Sequence, residues 1–138
     1  MAKKKGKRRP KVVGMTLCSR VERDPRTGEF SLVGLFLARG FRAFPTPPQR
    51  FFVYSLFYGG IGGVEIELKI NRLETEEEFS LYQQNSVWPG SGLPNYLLRS
   101  VEYRFPAPGR YRLSWYFDGE EEEGGFCLLD IRKDPVRG

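Results

Sequence analysis

The stretch Val64-Glu65-Ile66-Glu67-Leu68-Lys69-Ile70-Asn71 alternates apolar and polar side chains without a break. Successive side chains of a strand point to opposite faces, so Val64, Ile66, Leu68 and Ile70 share one face and Glu65, Glu67 and Lys69 the other. A strand dry on one side must bury that side against a second layer. Working outward, "GGIGG" (59–63) reads as a tight turn after the strand "RFFVYSLFY" (50–58). "RLETEEE" (72–78) is a polar connection that admits a short helical turn, and "FSLYQQ" (79–84) is a weak strand. "NSVWPGSGLPN" (85–95) reads as a loop from its Pro, Gly and Ser content, followed by the strand "YLLRSVEYRF" (96–105). In "RYRLSWYF" (110–117), Tyr111, Leu113, Trp115 and Phe117 alternate with Arg112, Ser114 and Tyr116. A "DGE" turn then leads to a last strand, "FCLLDIRK" (126–133).

Toward the N-terminus, Met15, Leu17 and Val21 share a face opposite Thr16, Arg20 and Glu22. A turn in "RDPRTGEF" makes a hairpin with "FSLVGLFL" (30–37), which is apolar on both faces and is expected to be covered on both. "RGFRAFPTPPQR" (39–50) is expected to be irregular and to cross between sheets, because Pro45, Pro47 and Pro48 lack backbone donors. About eight strands without a long helix predict an all-β antiparallel sandwich. "FPAPGRYRLSWYFDGE" (105–120) matches the late hairpin of many immunoglobulin-like domains, with Tyr111 either a tyrosine corner or a plain core aromatic.

The net charge of +5 conceals a division. Lys3, Lys4, Lys5, Lys7, Arg8, Arg9 and Lys11 cluster at the start, leaving 15 basic against 17 acidic groups elsewhere. Residues 1–11 are expected to be a disordered basic arm, 12–134 the sandwich domain and 135–138 a short tail. The seven cations suit phosphates. With no aromatic beside them, any nucleic-acid binding would be weak and blind to sequence.

The chain contains no histidine, which removes Ser-His-Asp and Cys-His centres and histidine metal ligands. It has no Walker A loop and no dinucleotide fingerprint. Cys18 and Cys127 are too few for a four-cysteine zinc site. No catalytic residue, metal or cofactor is assigned. The acids Glu76–Glu78 and Glu120–Glu123 read as solvated tips, with a weak calcium site at Glu120–Glu123 as the alternative. The basic start runs into a short apolar stretch interrupted by Thr16 and closed by Arg20, so no signal peptide is read. The most apolar segment, 51–64, is too short and too glycine-rich for a membrane-spanning helix. A cytoplasmic protein with buried free thiols is expected, a disulfide being the alternative on export.

"LCSRVERDPRTGEFSLVGLF" (17–36), "FFVYSLFYGG" (51–60) and "FPAPGRYRLSWYFDGE" together resemble a family of small bacterial proteins of uncharacterised function. The resemblance covers about residues 14–132 and implies an immunoglobulin-like β-sandwich. Its hallmarks are Cys18 in the first strand, Ser31 to Phe36 after a Thr-Gly hairpin, and Pro108 to Gly119. These are turn and core signatures, and they carry no catalytic residues. The basic arm and the Glu120–Glu123 run depart from the family pattern.

The function expected from these features is a non-enzymatic interaction module that binds another protein or its own copies. Trp88, placed in a Pro/Gly loop, and Tyr54 and Tyr58 are the candidate contacts, although Phe51 and Phe57 compete with the tyrosines for the outer face of their strand. Sequence-nonspecific nucleic-acid association through the arm is the alternative. Sugar binding on Trp88 is a weaker one.

Overall fold

The computed structural model describes residues 7–134. Among them the chain forms nine strands and no helix. These are β1 (Lys11–Arg23), β2 (Phe30–Leu35), β3 (Ala38–Phe41), β4 (Gln49–Tyr58), β5 (Ile61–Arg72), β6 (Glu77–Pro89), β7 (Asn95–Tyr103), β8 (Gly109–Phe117) and β9 (Glu120–Lys133). They build a four-stranded sheet in the order β2-β1-β4-β7 and a five-stranded sheet in the order β3-β9-β8-β5-β6. The expected all-β sandwich is therefore present.

Alternation decides which side chains lie between the sheets. Val64, Ile66, Leu68 and Ile70 of β5 are buried, as are Tyr111, Leu113, Trp115 and Phe117 of β8. Phe51, Val53 and Phe57 of β4 face them from the other sheet. Phe57 forms the aromatic centre, with Trp88, Trp115 and Phe117 at centroid distances of 5.4, 5.3 and 6.1 Å. Ser55 occupies the same buried row of β4. Its Oγ accepts a 2.8 Å hydrogen bond from Trp115 Nε1, so a polar pair spans the two sheets inside the core. The Tyr111 hydroxyl donates to the Ala107 carbonyl at 2.6 Å, four residues upstream.

Asp118 and Gly119 connect β8 to β9 with φ of 50° and 82°. Positive φ at both central residues of a two-residue loop is the type I′ turn that the twist of a hairpin favours, and Asp-Gly supplies it at low steric cost.

Five expectations change. "GGIGG" is a turn only at Gly59-Gly60, because Ile61, Gly62 and Gly63 already belong to β5 and pair with Pro89, Trp88 and Val87. Ala38–Phe41 is not irregular; it forms β3, parallel to the end of β9, because the prolines that forbid a ladder begin only at Pro45. The crossing between sheets therefore occurs earlier, at Phe36-Leu37. Asn85–Pro89 is not loop but the end of β6, held by pairing of Ile61 to Pro89 through Glu65 to Asn85. The polar connection after β5 is a turn with no helical residue. The acids Glu120–Glu123 belong to β9 rather than to a solvated tip.

Candidate functional site

Lys7, Arg8, Arg9 and Lys11 do not belong to an arm separate from the fold. Arg8 exchanges backbone hydrogen bonds with Ile61 at 3.0 and 2.8 Å, and Lys11 opens β1. Lys7 Nζ lies 2.7 Å from Asp118 Oδ2, and Arg9 Nη1 lies 2.6 Å from Glu120 Oε2. The physical cause is local: the I′ turn projects two carboxylates beside the incoming chain, and Asp118 also accepts the Glu65 amide at 3.0 Å. Lys7 and the Glu65 amide hold the Asp118 carboxyl below its ordinary value, and Arg9 does the same for Glu120. Glu120 in turn raises the Arg9 guanidinium. Lys3, Lys4 and Lys5 lie outside the described residues.

Trp88 is corrected from exposed loop residue to core residue. It is 7% exposed, packs edge-on to Phe57, and rests against Gly60, where a Cβ would lie 2.7 Å from the ring. The ladder that extends β6 turns the indole inward, so it offers no stacking face to a protein or a sugar.

Tyr54 and Tyr58 do occupy the outer face of β4, since Phe51 and Phe57 are 1% exposed on the inner one. Tyr54 is half-buried, stacked on Tyr96 at 5.8 Å and tilted against Phe30 at 6.2 Å, with Phe30 and Tyr96 at 5.3 Å. Tyr58 is about half exposed at the end of the strand. The outer aromatics are thus partly consumed by one another.

The feature that sequence reasoning missed lies on the lateral edge between the sheets. β1 pairs with β4 through Lys11–Cys18, but β2 joins its other side only from Cys18 onward. β9 pairs with β8 at Glu120–Glu121 and again from Phe126 to Ile131, with Glu122–Gly125 bulging out of the ladder, whereas β3 joins its other side only from Asp130. The two free edges touch where Gly125 meets Val12; a Cβ on Gly125 would lie 2.8 Å from the Val12 Cβ. Beyond that pinch they enclose a groove of about 600 Å³ lined by Met15, Thr16, Leu17, Leu35, Phe36, Leu37, Ala38 and Cys127. Leu35 and Leu37 at its mouth are 62% and 72% exposed, against the expectation that both faces of this segment are covered. The signal was present: an apolar run on both faces of a segment that ends as the chain leaves one sheet for the other.

Chemically the groove is apolar rather than reactive. Burial pushes the Cys127 thiol up to about 12 and the Cys18 thiol upward as well, so neither supplies thiolate at neutral pH. Both cysteines are free. Among the described residues no group of three metal-ligating side chains converges, and no helix is long and apolar enough to cross a membrane. No family model and no curated protein matches the chain.

Proposed function

We propose that this chain is an immunoglobulin-like sandwich acting as a non-catalytic protein-interaction module. The observation that carries the functional reading is the lateral groove, with Leu35 and Leu37 holding apolar surface in water at its mouth. Exposed apolar surface gathered around a concavity is the usual mark of a contact site. Tyr58 and Tyr54 extend the candidate contact surface on the outer face of the neighbouring sheet.

The immunoglobulin-like reading draws support from strand order. β9-β8-β5-β6 corresponds to the G-F-C-C′ order of variable-type domains, and the adjacent pair β4-β7 to B and E of the opposite sheet. In that scheme Tyr111 begins strand F, and its bond to Ala107 is the tyrosine corner. The bacterial family noted above implies the same architecture.

The non-catalytic reading draws support from a chain without histidine, thiols held protonated, and the Asp118 and Glu120 carboxylates committed to Lys7 and Arg9. Nucleic-acid association through the arm has less behind it, because those ion pairs take up two of the seven clustered cations.

The test compares the wild type with Leu37→Lys in affinity capture and light scattering. Leu37 is largely exposed, so the variant keeps the fold. Wild-type protein is expected to retain a protein partner or to self-associate, and the variant to lose it. Equal behaviour of the two would overturn the reading.

A further inference from the structure

We propose that the free edge of β6 pairs with the same edge of a second copy of this chain, antiparallel and centred on Asn85, so that the two five-stranded sheets run on into each other. This edge lies at the other end of the strand order from the lateral groove and does not involve it.

β6 ends the strand order of its sheet, and among the described residues no strand pairs with its far side. A row of unpaired N–H and C=O groups is a template for another strand, and sheets ordinarily blunt such edges with charge, proline or short length. The other edge strands are blunted in this way. β2 has six residues, β3 has four and carries Arg39, and β7 carries Arg99 and Glu102. β6 is not: its ten residues from Phe79 to Trp88 hold no charge, no proline and no glycine. Gln83, Gln84, Asn85 and Val87 are exposed, and Val87, at 83%, is the most exposed large apolar side chain among the described residues.

The hydrogen bonds of β5 fix which groups of β6 face outward. Glu65 commits both main-chain groups to Asp118: its carbonyl accepts the Asp118 amide at 2.8 Å, and its amide donates to Asp118 Oδ1 at 3.0 Å. Ile61 likewise exchanges both of its groups with Arg8. In an antiparallel ladder, a residue turned away from its neighbour leaves the residue opposite turned away too. Asn85 stands opposite Glu65 and Pro89 opposite Ile61, so both direct their backbone groups out of the sheet edge. Val87 between them and Gln83 on the other side follow the same two-residue period. The outward row stops at Pro89, which has no N–H, and at Leu81, which the register with β5 skips between Tyr82 and Ser80. The stretch between those stops is symmetric about Asn85. Laid antiparallel on a copy of itself, it sets Asn85 against Asn85, Gln83 against Val87 and Leu81 against Pro89, so the two interruptions meet each other. Pairings of outward-facing residues exchange two N–H···O bonds each, and a centre at Gln84 or Ser86 keeps fewer of them. This two-fold self-complementarity, the mark of an isologous contact, selects a second copy over an unrelated strand. The antiparallel sense also places the Glu77-Glu78 ends of the two copies at opposite ends of the seam, whereas a parallel one sets like charges side by side. On the exposed face Gln83 covers the copy's Val87, and the two Asn85 amides, each both donor and acceptor, face one another.

The experiment uses the full chain. Sedimentation velocity and light scattering follow the wild type up to about 1 mM, which covers the weak dissociation constants of small interfaces. A dimer is expected. Amide hydrogen exchange, read by NMR at low and high protein concentration, is expected to gain protection at Gln83, Asn85 and Val87, the amides that face water in the monomer. Asn85→Lys and Asn85→Glu, each checked for an unchanged melting temperature, set like charges against each other on the two-fold axis. Each alone is expected to dimerise about tenfold more weakly or worse, and their equimolar mixture to recover the dimer as a heterodimer. The exchange pattern of the wild type decides the matter should either variant lose stability. A wild type that stays monomeric, a dimer whose added protection lies elsewhere, or a mixture of stable variants that associates no better than each alone overturns the inference. Partner capture through the groove is read by Leu37→Lys, which leaves β6 intact, so failure of the dimer spares the module reading and failure of capture spares the dimer.

Discussion

Replacing Ser55 by alanine tests whether the polar pair inside the core holds the two sheets together. Ser55 and Trp115 are each no more than 1% exposed, and Ser55 Oγ is the acceptor of the indole N–H. The substitution removes that acceptor without opening a cavity that water can fill. A buried donor left without a partner costs about 1–3 kcal/mol. With an unfolding entropy of about 2.1 cal/mol/K per residue, a chain of 138 residues loses about 3.5 °C per kcal/mol, so Ser55→Ala, at about 2 kcal/mol, is expected to lower Tm by about 7 °C. The control is the same substitution made in a Trp115→Phe background. Phenylalanine has no N–H to strand, so there Ser55→Ala costs little, and the cycle yields a coupling of about 1–2 kcal/mol. Thermal and urea unfolding followed by circular dichroism measure all four proteins. A drop under about 2 °C, or a coupling below about 0.5 kcal/mol, would refute the claim that the bond carries stability.

Gly60→Ala drives a Cβ into the Trp88 ring and is expected to cost about 1–3 kcal/mol, whereas Gly63→Ala, whose Cβ meets nothing within 4 Å, costs far less; urea midpoints compare them. Tyr111→Phe removes only the hydroxyl that bonds Ala107, so a loss of about 1 kcal/mol is expected in the same assay. Tyr116 is raised to about 12 from an ordinary 10.0, first by burial and then by Glu121 and Glu78, and Cys127 to about 12 from 9.0 by burial. Both are neutral when protonated, so the unfolded chain ionises first and stability falls as pH rises from about 9 to about 12; Tm measured across that range should decline, with absorbance at 295 nm showing a late phenolate. For the arm, duplex DNA binding with all seven cations engaged gives a log–log salt slope of about −6, while retention of the Lys7 and Arg9 ion pairs gives about −4.5; fluorescence anisotropy across salt concentrations separates the two.

Much of this protein follows from local chemistry written along the chain. The two-residue alternation of Val64–Ile70 and Tyr111–Phe117 assigns inner and outer faces, because a strand has only two, and the structure buries those side chains. Asp118-Gly119 selects a I′ turn since few other residue pairs accept two positive φ values. The absence of histidine bounds the chemistry before any folding is considered. What stayed hidden is whatever depends on partners distant in sequence. Trp88 has loop-like neighbours in Pro89 and Gly90, yet the ladder from β5 carries it inward onto Phe57. Lys7 and Arg9 look like free charge until a turn more than a hundred residues later brings Asp118 and Glu120 beside them. Cross-sheet contacts alone decide that Ser55, a polar residue in an apolar row, is satisfied by Trp115. The lateral groove exists only because β2 and β3 pair with their neighbours too late to cover the edges of β1 and β9, and the extent of a ladder is settled by both strands together. Local patterning determines which face each residue takes; only the assembled sheets determine which edges and which charges remain unpaired.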